Sequence, residues 1–463
     1  MKRLLFALPL AVLLPAALAA QPQAGTETVQ ISYVEETLPN GLRVVYHVDR
    51  STPVAAVDIW YNVGSKHEQP GRTGFAHLFE HMMFKGSRNV GDGQHFGLLQ
   101  AAGARTGEDI NGTTSWDRTN YFEQVPSNQL ELALWLEADR MGTLLETLTP
   151  EKLENQREVV KNERRQGVDN QPYGTWTEKM LAHLFPEGHP YHHPVIGSME
   201  DLSAATLDDV ATFFRTYYAP NNAVLVIAGD IDVDNAKTLV RRHFGDIARG
   251  PAPPPLRSMA LPPRMGEGRR EVVQDPNAQA PAIFVGFRAP PARDPQANAV
   301  SLLTTVLGAR SGGLYEALVR RQQIATGVGS FNFGLVDGAD AMFIIANGKP
   351  GSSPDSLEAA LMAELDNLAA HVTQAALDRA RAQARFGFIN GLQNTGGFGG
   401  RADVLAMGAT YFNDPGWVNR QLDENDRVTL ADLQRLVRER MSADNRVVLV
   451  YVPAPQPSTP GDR

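Results

Sequence analysis

The sequence predicts an α+β fold that occurs twice. Three observations carry this expectation. Strand-like and helix-like stretches are mixed within each half, a proline- and glycine-rich segment separates the halves, and one stretch of the first half repeats in the second at a constant offset. At 463 residues the chain is also long for a single core, and domains of roughly 100 to 250 residues give two large units.

In the first half, "LRVVYHVD" (42–49) and "VAAVDIWYNVGS" (54–65) are apolar or alternating and rich in β-branched and aromatic residues. "NGTTSWDRTNYFEQV" (111–125) continues that character. The stretch "SNQLELALWLEADRMGTLLE" (127–146) has apolar residues at three- and four-residue spacing and reads as a helix, with Ser127 or Asn128 at its N-cap. In "GDIARGPAPPPLRSMALPPRMGEG" (245–268) proline and glycine erase any period, which predicts an extended, stiff linker between units at 28–244 and 269–455.

The repeat is ungapped. "TLDDVATFFRTYYAPNNAVLVI" (206–227) lies on "TLADLQRLVRERMSADNRVVLV" (429–450), so Thr206, Leu207, Asp209, Arg215 and Asn222 meet Thr429, Leu430, Asp432, Arg438 and Asn445 at an offset of 223. Any amphipathic helix followed by a valine-rich strand resembles another, but identities in one register favour a duplication.

Composition narrows the function. Lys2 and Arg3, the apolar run "LLFALPLAVLLPAALA" and small residues at Ala17 and Ala19 predict a signal peptide over residues 1–20 and a periplasmic or secreted mature chain. No later stretch approaches a membrane span. With no cysteine there is no disulfide and no thiolate metal site, so a metal must be held by His, Asp or Glu. The net charge of −9 includes no basic block, which argues against nucleic acid as a partner.

"HLFEHMMFKG" (77–86) carries the chemistry. His77 and His81, four apart, share one face of a helix and can reach one cation; Glu80 projects close to that face, where it can take a proton from water without being a ligand. Imidazole and carboxylate donors with an open fourth position suit Zn2+. Surface His and Glu at chance spacing is the bland alternative. A third ligand is needed, and spacing leaves Glu151, Glu154, Glu158 and Glu163 open.

Taken together, "GRTGFAHLFEHMMFKGS", "NGTTSWDRTNYFEQVPSNQLELALWLEADRM", "QREVVKNERRQGVDNQPYG" and "HPYHHPVIGSMEDL" resemble the pitrilysin family, which includes insulin-degrading enzyme and the mitochondrial processing peptidase. The resemblance implies two α/β-roll domains, each an antiparallel-rich sheet with helices packed on one side, and a zinc peptidase with Glu80 as catalytic base. Its third-ligand segment, E-R-x-V-x-x-x-E, maps onto "QREVVKNE" and places Glu163 at the metal, with Gln156 at the opening acid. The family's usual interval from the second histidine falls on Glu158. Six extra residues, four in loops before Asn111 and two near "TLTPEK", restore Glu163, so Glu158 is the alternative.

The resemblance further implies that Asn111 and Gly112 open an edge strand on which an extended peptide pairs. It also places an Arg and a Tyr, seven residues apart, in the second half. Arg320 takes the Arg position, but Gly327 stands where the Tyr is expected. The second half has no H-x-x-E-H sequence, so one Zn2+ per chain is expected. His189, His192 and His193 are expected to be structural. The implied activity is hydrolysis of peptides or unfolded polypeptides. The implied partner is a homologous subunit that supplies the Arg–Tyr pair in a heterodimer, with a homodimer as the other arrangement. The competing reading is a peptide-binding or assembly subunit with little turnover of its own.

Overall fold

The computed structural model describes residues 29–454. The expected signal peptide lies outside the described residues. Among them, no helix is long and apolar enough to cross a membrane.

Among the described residues, eleven strands form two sheets. The first has six strands in the order β1-β2-β6-β3-β5-β4: β1 (Val34–Thr37), β2 (Arg43–Val48), β3 (Val54–Tyr61), β4 (Ile110–Thr114), β5 (Thr119–Pro126) and β6 (Ala223–Gly229). The second has five in the order β7-β11-β8-β10-β9: β7 (Arg269–Asp275), β8 (Ala282–Ala289), β9 (Ala325–Asn332), β10 (Asp340–Gly348) and β11 (Arg446–Pro453). Without β1 the two are the same sheet. In each, one parallel pair (β2/β6, β7/β11) is followed by antiparallel pairs only. Between the units, from Ala248 to Gly268, no helix or strand forms.

The repeated residues do the same work twice. Thr206 and Thr429 cap the helices Leu207–Tyr217 and Leu430–Arg440, each closing a capping box with Asp209 or Asp432. Asn222 donates its amide to the Tyr217 and Asn62 carbonyls, and Asn445 to those of Arg440 and Arg288. Each buried amide therefore ties a helix end to a neighbouring strand, at the end of β3 in the first half and on β8 in the second.

The helix expected over 127–146 begins with a 3-10 turn at Ser127–Gln129 and becomes α-helical at Leu130–Thr143. Neither Ser127 nor Asn128 caps it, because this turn precedes the helix and the position before Leu130 is Gln129, which makes no cap bond.

Each sheet has its own helices on one face, and a helix from the other half covers the opposite face. Met180, Leu181 and Leu184, on the first half's helix Trp176–Leu184, pack on Phe284, Phe343 and Leu449 of the second sheet. In return Ala402, Leu405 and Ala409, on the helix Arg401–Phe412, pack on Val45, Trp60 and Val226 of the first sheet. This exchange locks the halves together over two apolar interfaces.

An ionic cross-link reinforces it beside the β4–β5 turn. Buried Lys66 donates to Asp117 at 2.8 Å and to Asp337 of the second half at 2.9 Å, and Tyr191 donates its hydroxyl to Asp117 at 2.6 Å. Burial works against ionisation of Asp337, but Lys66 and Arg293 outweigh it and hold its carboxyl below the usual range. Lys66→Met leaves buried Asp117 without its cation, while Asp337 keeps Arg293, and is expected to cost about 3–5 kcal/mol in denaturant-induced unfolding.

Candidate metal centre

Helix α1 (Phe75–Met82) is amphipathic by spacing. Phe75, Leu78, Phe79 and Met82 are buried, with Phe79 against Tyr218 and Phe214 at ring separations of 4.4 and 5.3 Å. His77, Glu80 and His81 stay on the half-buried face. The two imidazoles stand 4.8 Å apart, nearly perpendicular.

The helix Pro150–Arg164 supplies the facing carboxylate. Its start is set locally: Thr149 accepts the Lys152 N–H, and Pro150 takes the first turn, where its missing N–H costs nothing. Near its other end, Glu163 Oε2 lies 3.4 Å from His81 Nε2 and 3.7 Å from His77 Nε2. Ligands about 2.0–2.1 Å from a tetrahedral ion stand roughly 3.3–3.5 Å from each other, and both separations of Glu163 from the histidines lie near that range. Burial and the neighbouring His81 push His77 down to about 3, so no proton competes for its ring. Glu158 points elsewhere and pairs with Lys161 at 2.8 Å. Gln156 is buried and donates to Asn155.

Glu80 lies against the edge strand β4. The Thr114 hydroxyl donates to Glu80 Oε2 at 2.6 Å, and a Cβ at Gly112 would stand 3.2 Å from Glu80 Cγ and 3.0 Å from the Tyr121 ring. Glycine therefore lets the carboxylate pack on the strand. Burial raises the Glu80 carboxyl above its usual range, against the opposing pull of Thr114, His81 and Arg118. Ser115 donates its N–H to the Arg118 carbonyl, and this fixes the alternation: Thr113 and Asn111 bond to β5, whereas Gly112 and Thr114 turn their backbone groups to the free edge. Asn111 covers one of them, with Oδ1 accepting the Gly112 N–H at 2.9 Å and Nδ2 donating to the Gly107 carbonyl at 3.3 Å.

Comparison with known proteins gives this geometry a family. The family model "Insulinase (Peptidase family M16)" matches residues 43–197, and "Peptidase M16 inactive domain" matches residues 204–384. The zinc protease PqqE of Helicobacter pylori is 31% identical over 410 residues, which cover 86% of this chain and 85% of that one. The chain belongs to peptidase family M16. A solved M16-type fold, a protease from Helicobacter pylori, superposes with a TM-score of 0.83 at 28% identity over 91% of this chain and 100% of that one. The periplasmic protease PqqL of Escherichia coli shares the fold at a TM-score of 0.72 and 18% identity, with 92% of this chain spanning 48% of that one.

Other positions expected from the sequence make contacts of their own, with none of the three cluster side chains. Arg320 is exposed on the second half, 3.5 Å from Glu316 and above the Tyr315 ring. Gly327 lies on edge strand β9, where an added Cβ would meet nothing within 4 Å. His189, His192 and His193 bond to the Met259 carbonyl, the Phe185 carbonyl and the Glu68 carboxylate, respectively. A second group of potential ligands, His95, Glu123 and Glu137, is fully buried. Arg140 neutralises Glu137, and burial with the neighbouring Glu137 charge favours neutral Glu123, so this group has no net charge to draw a cation.

Two residues at the site escape sequence reasoning. Thr114 follows Gly112 by two and so shares its face of the strand, a signal available once β4 is drawn. Glu68 lies outside the motif, and only the fold brings it to α1.

Proposed function

We propose that this M16 chain is a zinc metalloendopeptidase that acts on peptides or unfolded polypeptides. His77, His81 and Glu163 hold one Zn2+, and Glu80 is the general base. The observation that supports this most is the convergence of two histidines and a carboxylate from two helices, at separations suited to zinc, beside a half-buried glutamate and an open strand edge. The bound ion would acidify water and polarise the scissile carbonyl.

The chain's own groups do the rest. Thr114 holds Glu80 Oε2, which leaves the other carboxylate oxygen to take a proton from water and pass it to the departing amine nitrogen. A peptide displaces the Asn111 side chain and pairs with the outward backbone groups of Gly112 and Thr114. Such pairing reads main chain, so sequence tolerance is broad.

Arg320 and Gly327 bear on the partner. Without a tyrosine at 327, we assign the Arg–Tyr pair to a homologous subunit in a heterodimer; a homodimer would present Arg320 alone. The single-chain length of PqqL, about twice the matched span, supports assembly from two such units. The apolar run after Lys2 and Arg3 supports a periplasmic or secreted location.

The test is hydrolysis of a quenched fluorescent peptide library by the purified, zinc-loaded chain, alone and with a homologous M16 subunit. Cleavage that a chelator stops and zinc restores is expected in at least the mixed sample. Silence in both samples overturns the proposal.

A further inference from the structure

The N-terminus of α1 has no cap of its own. Its cap position is Gly74, in the left-handed region at φ 86°, and a Cβ there would stand 2.8 Å from the Ile196 carbonyl. Gly197 presses equally close from the neighbouring loop, since its own Cβ would fall 2.4 Å from Gly74 backbone atoms. A side chain cannot enter from within the turn.

A carboxylate enters from six residues upstream instead. Glu68, whose side chain is 0% exposed, accepts the Ala76 N–H on Oε1 at 2.8 Å and the Gly74 N–H on Oε2 at 3.0 Å. Two donors that no intrahelical partner can serve are thereby satisfied, and a negative charge sits at the positive end of the helix dipole. The same Oε2 lies 2.8 Å from His193 Nε2. The His193 carbonyl accepts the Trp116 indole N–H at 3.0 Å, and Trp116 lies in the β4–β5 turn and stacks on Phe333 of the second half at 4.7 Å. Arg257, in the segment between the halves, donates to the Glu68 carbonyl at 2.9 Å.

We propose that Glu68 is a positioning residue that fixes the first turn of α1, and with it His77, and that through His193 and Trp116 it holds the metal-binding helix in register with the peptide-binding edge strand. The inference rests on the reading of His77, His81 and Glu163 as zinc ligands. Glu68 touches no ligand side chain. It acts on the backbone from which His77 projects, so losing it tilts the helix end that carries one ligand while His81, a turn further on, stays packed.

The test measures zinc affinity by competition with a chromogenic chelator, below the unfolding transition of each protein, together with KM and kcat. It uses the full chain, Glu68→Gln, His193→Gln and His81→Ala. Glu68→Gln keeps an acceptor for one backbone N–H but turns an amide N–H toward the other, and its zinc affinity is expected to fall by about 10- to 100-fold, the range for partners that orient a metal ligand. His193→Gln keeps the helix cap but breaks the link to the hairpin; a few-fold loss of affinity and a raised KM are expected. Wild-type zinc affinity in folded Glu68→Gln, with only the melting temperature lowered, overturns the inference. If Glu68→Gln does not fold, unchanged zinc affinity and KM in His193→Gln overturn it. A wild-type chain that binds no zinc, or a His81→Ala variant that binds it as tightly as wild type, overturns the ligand reading itself.

Discussion

Glu80→Gln is expected to lower kcat by about 10²- to 10⁴-fold while zinc stays bound. The amide is isosteric, so it keeps the contact with Gly112 and can still accept the Thr114 hydroxyl through its oxygen. It cannot take a proton from water. Because Glu80 lies on the same turn as His81 but is not among the three atoms assigned to the ion, zinc content by elemental analysis should match wild type. Lost activity with retained zinc identifies Glu80 as the proton carrier. Loss of both would make it a ligand.

The second large effect separates two glutamates of one helix. Glu163→Ala removes the carboxylate that faces both imidazoles, and zinc affinity is expected to fall by more than the roughly 10- to 100-fold typical of an outer-shell partner. Glu158→Ala only breaks a solvent-screened pair with Lys161 and should leave zinc affinity and turnover unchanged. Isothermal titration of both variants with zinc checks this directly. Retained binding in Glu163→Ala with loss in Glu158→Ala would reverse the assignment.

That contrast also marks what the sequence carries. His77, Glu80 and His81 are legible because a helix fixes their relation within five residues, and no loop intervenes. Spacing does not fix the third carboxylate, since its distance in sequence from His81 depends on loop lengths between elements and four acids on one helix offer similar patterns; the resemblance of "QREVVKNE" is what favours Glu163. Only the packing of that helix against α1 brings Glu163 to the histidines, whereas Glu158 keeps a local pair with Lys161 one turn along the same helix.

The duplication is legible for a similar reason. Thr206 and Thr429, with Asp209 and Asp432, form the same local cap, and local chemistry leaves identities behind. The exchange of helices between the halves leaves no such trace. The pattern of Trp176–Leu184 says that one face is buried, but it does not say that the face lies on the second half's sheet. Glu68 is hidden in the same way: its role depends on glycines at 74 and 197 meeting in space.

The most direct test of the metal centre is anomalous diffraction at the zinc edge from crystals of the zinc-loaded chain. The account predicts one peak per chain, within bonding distance of His77 Nε2, His81 Nε2 and a Glu163 carboxylate oxygen. A peak at Glu158, a peak away from the histidines, or no peak at all would contradict it.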